Sequence, residues 1–190
     1  MGELRQHDIA GYASRYGLKH FVETGTWKAH GLWFAAQLPW ETMTSIDVNP
    51  AYLIDAEIRM SSRPHPETAV RLIHGDSAAV FPSVISSLPS GTALFWLDAH
   101  LPRHYSHGHD GTVFPLIAEL AAVVNHDRSH AGDVFIMDDL RVYKRGPFAA
   151  GDYVGDILDG ELDRIHSLLS PTHALSEDFR MEGYLLAVPR

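Results

Sequence analysis

FVETGTWKAHG, residues 21–31, is the stretch whose reading decides the fold. Phe21 and Val22 are strand formers, and Glu23 sits where the strand ends. Gly25 lets the backbone turn tightly with no Cβ in the way. From Lys28 to Leu38, apolar side chains at Leu32, Phe34, Ala35, Ala36 and Leu38 recur at roughly helical spacing. A strand, a glycine-bearing turn and a helix start is the layout with which open α/β sheets hold a nucleotide-like ligand.

Outward from that turn, strands and helices alternate. Residues 3–16 predict an amphipathic helix ended by Gly17. MTSID, 43–47, predicts a second strand ending in Asp47, and Pro50 suits the first turn of a helix running to Met60. AVRLIHGD, 69–76, predicts a third strand, after which Ser77 caps a helix to Ser87. TALFWLDAH, 92–100, is a near-continuous apolar run closed by Asp98 and His100, as expected of a central strand buried on both faces. A polar loop follows, then a helix over 113–125, a fifth strand at DVFIMDD, 133–139, and a helix over 153–169. THALSEDF and GYLLAVPR close the chain as two strands, the last pairing antiparallel. The expected architecture is a single α/β domain: a Rossmann-like, doubly wound, mostly parallel seven-stranded sheet with an antiparallel C-terminal strand and helices on both faces.

Composition narrows the function classes. The chain has 190 residues, enough for one domain with a full core. It has no cysteine, which removes disulfides and thiolate metal sites. A formal net charge of −9 argues against non-specific nucleic-acid binding, which needs a basic face. No apolar run approaches the length of a membrane span, and the N-terminus lacks the pattern of a signal peptide. The expectation is a cytoplasmic protein with a small-molecule substrate.

Ligands of such sheets sit outside the carboxyl ends of the strands. Glu23, Asp47, Asp76, Asp98 and Asp138 each fall at such an end. Asp47, about twenty residues past the glycine turn, suits the hydroxyls of a ribose. Asp76 and Ser77 follow the third strand, where a side chain can meet an adenine amino group. After Gly25 the next glycine is Gly31, which leaves little bare backbone for a pyrophosphate. Glu23 suits a cationic ligand such as an ammonium or sulfonium.

The ordered set VETGTWKAHG, SIDVNP, HGDSAAVFP, LFWLDAH and FIMDD resembles the class I S-adenosylmethionine (SAM)-dependent methyltransferases, from about residue 18 to the C-terminus. The resemblance implies that Glu23, Thr24, Gly25 and Thr26 hold the methionine part, Asp47 the ribose, and Asp76 with Ser77 the adenine. Gly25-Thr26-Trp27 departs from that family's usual Gly-x-Gly.

Asp98, Asp138 and Asp139 end neighbouring strands. Three clustered carboxylates repel one another unless protonated or bridged by a cation, and oxygen donors of this kind suit Mg²⁺ or Mn²⁺. The pattern is similar to that of the metal-dependent macrocin-type O-methyltransferases, which act on sugar hydroxyls. That likeness implies Asp98, Asp138 and Asp139 as metal ligands. Asp98, or as second choice His100 just beyond it, suits the base that takes the hydroxyl proton. His104, His107 and His109, with Asp110, read as a substrate lid or a second metal site. Trp27, on the turn, can cover a ligand, whereas Trp33, Trp40 and Trp96 read as core. Arg141 and Lys144 read as surface charges or as contacts for an acidic substrate. The His-rich loop and the 144–152 loop close the site, or a second subunit does, as in a homodimer. Two other functions compete: a nicotinamide-dependent oxidoreductase, which shares Asp47 but lacks the glycine fingerprint, and a non-catalytic methyltransferase-like domain.

Overall fold

The apolar runs of the sequence form strands buried on both faces. The computed structural model describes residues 3–100, 112–155, 157–158 and 160–190. The strands are β1 (Leu18–Thr24), β2 (Thr42–Asp47), β3 (Ala69–His74), β4 (Thr92–Leu97), β5 (Val134–Met137), β6 (His173–Asp178) and β7 (Tyr184–Pro189). They make one sheet in the order β3-β2-β1-β4-β5-β7-β6. All neighbours from β3 to β5 pair in parallel, and β7 runs antiparallel to both β5 and β6.

The helices are α1 (Ile9–Tyr16), α2 (His30–Ala35), α3 (Pro50–Met60), α4 (Ser77–Ser87), α5 (Leu116–Val124) and α6 (Glu161–Leu169). Successive strand residues point to opposite faces, so each central strand feeds two cores. Val22, Phe95 and Phe135 pack with Phe81, Leu120, Ile165 and their neighbours on the side of α4, α5 and α6. Phe21, Leu94 and Ile136 pack with Ile9, Leu32 and Ala56 on the side of α1, α2 and α3. Phe21, Val22, Leu94, Phe95, Phe135 and Ile136 are all fully buried, which is why these strands show no polar alternation.

Four helices differ from the periodicity, α5 only in that it starts at Leu116 rather than at 113. The N-terminal segment is a 3-10 turn, Leu4–Gln6, and then α1, because the Asp8 carboxylate caps a new helix by accepting from Gly11 N–H at 2.9 Å. Gly17, at φ 61°, ends α1 as expected. The helix after β1 begins only at His30, because Trp27 and Ala29 both take left-handed backbone conformations. The helix expected over 153–169 starts at Glu161, after Gly160 at φ 84°.

The strand order reverses between β1 and β4, and a crevice opens there above the carboxyl ends. Backbone pairing continues past those ends: Gly25 N–H donates to Ile46 C=O at 2.9 Å, Asp98 N–H to Thr24 C=O at 3.1 Å, and Asp138 N–H to Leu97 C=O at 3.0 Å. That continuation brings the acidic strand ends to one rim. Among the described residues no helix is long and apolar enough to cross a membrane.

Candidate active site

A cavity of about 760 Å³ lies over the carboxyl ends of β1 to β4. Its floor carries Glu23, Gly25, Thr26 and Asp98, and its far side Asp47, Asp76 and Ser77. Gly25 is demanded by the fold as well as by a ligand. Its φ is 85°, and an added Cβ would lie 2.5 Å from the Asp98 carbonyl oxygen. Gly31 leaves room for Glu23, whose Oε1 occupies the space a Cβ would take.

Glu23 is buried. The Ser45 hydroxyl donates to its Oε2 at 2.6 Å, and Ser45 is bonded in turn to the Thr26 hydroxyl at 2.6 Å. Burial pushes the Glu23 pKa up to about 8, opposed by the Ser45 bond and assisted by the charge of Asp47. Asp47 anchors the turn: its Oδ2 accepts from Trp27 N–H at 2.8 Å and its Oδ1 from Asn49 N–H at 2.7 Å. Asp76 caps α4 through Ala78 N–H at 3.0 Å, and its other oxygen accepts from the Thr112 amide and hydroxyl at 2.8 and 2.7 Å. Asp47 and Asp76 both line the cavity while making these bonds.

Asp98, His100, Asp138 and Asp139 form one cluster at the ends of β4 and β5. His100 Nε2 is paired with Asp139, while its Nδ1 lies 3.6 Å from Asp98 Oδ1. Asp139 also accepts from Arg141 Nε at 3.0 Å. Asp139 adopts a left-handed conformation, φ 55° and ψ 44°, a backbone strain of the kind found at functional sites. Burial pulls the His100 pKa down, but Asp139 and Asp138 outweigh it and the net direction is up. Burial raises Asp139, but His100 and Arg141 take its carboxyl below the usual range. Asp98 is pushed well above the usual range by burial and by Asp138, Asp139 and Glu23. Asp138 is raised by burial and by Asp139. The Asp138 carboxylate is buried, with the Asp98 carboxyl and the Asp139 backbone N–H against it. Asp98, half-buried, and Asp138, buried, are thus adjacent carboxyls whose mutual repulsion favours a proton on the pair.

No protein-family model matches the chain, and no curated protein matches it in sequence. Solved structures do match in fold. The O-methyltransferase TomG of Streptomyces achromogenes, involved in tomaymycin synthesis and solved with SAM, has a TM-score of 0.62 at 14% identity, over 96% of this chain and 80% of that one. The SAH-bound methyltransferase PaMTH1 of Podospora anserina has a TM-score of 0.60 at 12% identity, over 96% of this chain and 76% of that one. An rRNA methylase of Streptococcus thermophilus has a TM-score of 0.59 at 14% identity, over 100% of this chain and 98% of that one. This is the methyltransferase fold.

Within the methyltransferase fold, most residues predicted to hold the cofactor face one cavity. Thr24 does not. It is fully buried and its hydroxyl faces Glu119, because it follows Glu23 on β1 and points to the other side of the sheet. Asp138 and Asp139 lie behind the main cavity, in a small recess that also contains His100 and Ala99. Trp33, read as core, lines the cavity, and so does one edge of the buried Trp96, whereas Trp40 is core. The 144–152 loop does not line the cavity. It packs on the β6–β7 turn, with Ala149 N–H donating to Phe179 C=O at 3.2 Å and Ala150 N–H to Met181 C=O at 2.9 Å. Arg141 pairs with Asp139, and Lys144 pairs with Glu177 at 2.8 Å. His104, His107, His109 and Asp110 lie outside the described residues.

Glu119 on α5 was missed. It is buried under the cluster, near Ser77, Thr24 and His100, and burial raises its pKa to about 7. The signal was a glutamate inside the apolar stripe Leu116, Leu120 and Val123. Among the described residues no group of three or more His, Asp or Glu side chains is arranged to hold a metal ion. The adjacent carboxyls of Asp98 and Asp138 are oxygen donors of the kind a divalent cation takes, while Asp139 is engaged by His100 and Arg141.

Proposed function

We propose that this chain is a SAM-dependent methyltransferase that methylates a hydroxyl of a small molecule in the cytoplasm. One observation carries the reading: the cavity floor over β1 and β4 is built from two acidic groups, the buried Glu23 and the half-buried Asp98. A methyl donor with a sulfonium and an ammonium supplies the positive charge that this floor lacks. Asp47 accepts from the ribose hydroxyls, Asp76 and Ser77 meet the adenine, and Glu23 with Thr26 holds the methionine end.

The transfer is a displacement at the methyl carbon. A lone pair of the acceptor oxygen forms the new C–O bond, the C–S pair returns to sulfur as a thioether, and the hydroxyl proton goes to a base. Asp98 faces the cavity and is the base assigned here, with the His100–Asp139 pair holding it in place. Burial and the neighbouring carboxylates raise its pKa, which strengthens it as a proton acceptor. Holding oxygen and methyl in line supplies much of the rate. Asp98 and Asp138 would hold Mg²⁺ or Mn²⁺, which would supply a lower pKa for a bound hydroxyl.

Calorimetric titration with S-adenosylhomocysteine (SAH) and with NAD tests the cofactor. SAH is expected to bind at micromolar concentration and NAD not to bind; tight NAD binding without SAH binding overturns the proposal. Repeating the titration with Mg²⁺ alone, on the chain and on Asp138→Asn, tests the metal: heat that disappears in the variant supports it. No heat in either removes the metal and leaves methyl transfer by base and position.

A further inference from the structure

Part of the cavity lies away from the acidic strand ends. Its wall toward α2 and α3 is made of Trp33, Phe34 and Tyr52, with His30 and Arg59 beside them. Arg5 also reaches this side, but Glu3 binds it at 2.6 and 3.0 Å and cancels its charge. Arg59 differs. It is half-buried, and among the described residues its guanidinium has neither a hydrogen-bond nor an ion-pair partner. Lys28 lies 4.8 Å from the Trp27 ring centre, and Trp27 lines the same cavity. Burial lowers the pKa of His30, and Arg59, Lys28 and Arg5 lower it further, so these cations share one neighbourhood with a neutral imidazole.

The two halves therefore have opposite character: acidic over the strand ends, aromatic and basic along α2 and α3. In a chain of net charge −9, an unpaired guanidinium turned into a cavity is a recognition element. A guanidinium fork matches a carboxylate in two parallel hydrogen bonds, and indole and phenol rings seat a planar ring. A neutral sugar would cover Arg59 and leave it unpaired, which costs free energy. Arg59 also sits in the last turn of α3, where a cation complements the helix dipole, but that role does not require the side chain to line a cavity.

We propose, resting on the methyl-transfer reading of the same cavity, that the acceptor is a hydroxylated aromatic acid, its ring against Trp33, Phe34 and Tyr52 and its carboxylate on Arg59. The test is a tryptophan-fluorescence titration of the full chain with 3,4-dihydroxybenzoate and with catechol, with and without SAH. The acid is expected to bind at least about tenfold more tightly than catechol, and Arg59→Met is expected to bring that ratio to about one without changing SAH affinity. Arg59→Lys, which keeps the charge without the fork, gives an intermediate ratio and serves if the Met variant does not fold. An acid that binds no better than catechol, or a ratio that survives both substitutions, overturns the proposal. Absent SAH binding would strike the methyltransferase reading instead, and the ratio measured without SAH still decides this subsite.

Discussion

Glu119 is a carboxyl inside an apolar helix face, and its cost has a sign that can be measured. Its pKa rises from about 4.5 to about 7 on folding, chiefly through burial. Between those values the folded chain holds a proton that the unfolded chain has released, so this group makes stability fall as pH rises through that window. Glu119→Gln removes the dependence. The variant is expected to be more stable than wild type by up to about 3 kcal/mol at pH 8, with the difference shrinking toward pH 4.5. Urea melts at several pH values check this; a difference that does not change with pH refutes it. Glu23 carries a related prediction for binding. Its pKa is about 8 in the free protein, and a ligand ammonium favours the ionised form. SAH affinity should rise between pH 6.5 and 8 and lose that rise in Glu23→Gln, by calorimetry. Glu23 was legible in the sequence as an acidic strand end. Its protonation was not, because that depends on Ser45, Thr26 and Gly31 closing over it.

At the scale of elements, the β1–α2 turn and the end of β4 are fitted to each other. Gly25 brings its Cα against the Asp98 carbonyl at a positive φ. Gly25→Ala is expected to destabilise the chain by about 2–4 kcal/mol and to weaken SAH binding, since strain and a backbone clash add. A melting temperature within about 2 °C of wild type would refute it. Asp76 joins three elements, capping α4 while its second oxygen holds Thr112. The sequence spacing marked Asp47 and Asp76 as ligand groups. The structure shows their carboxylates accepting from backbone amides while lining the cavity. Helix starts were the weakest part of the sequence reading. Left-handed residues at Trp27, Ala29 and Gly160 delay α2 and α6, and only the glycine among them signals itself.

For the whole molecule, the prediction is linkage between ligand and fold. The cavity joins the ends of β1 to β4 with α2, α3 and the N-terminal 3-10 turn. A ligand that fills it should stabilise the chain as a unit: SAH at about one hundred times its Kd adds about 2.7 kcal/mol, read as a rise in melting temperature. Asp47→Ala should remove most of that rise; an undiminished rise would place the ligand elsewhere.

The sequence alone determined the alternation of strands and helices, the continuous burial of the central strands and the row of acidic strand ends, because these follow from periodicity and from residue type at fixed offsets. Tertiary structure alone decided which acids face one another, which are paired and which keep a proton, since burial and charge contact join residues far apart in the chain. It also turned Thr24 away from the cavity and Trp33 and Arg59 toward it, because strand alternation and helix packing set a side chain's direction only once the register is formed.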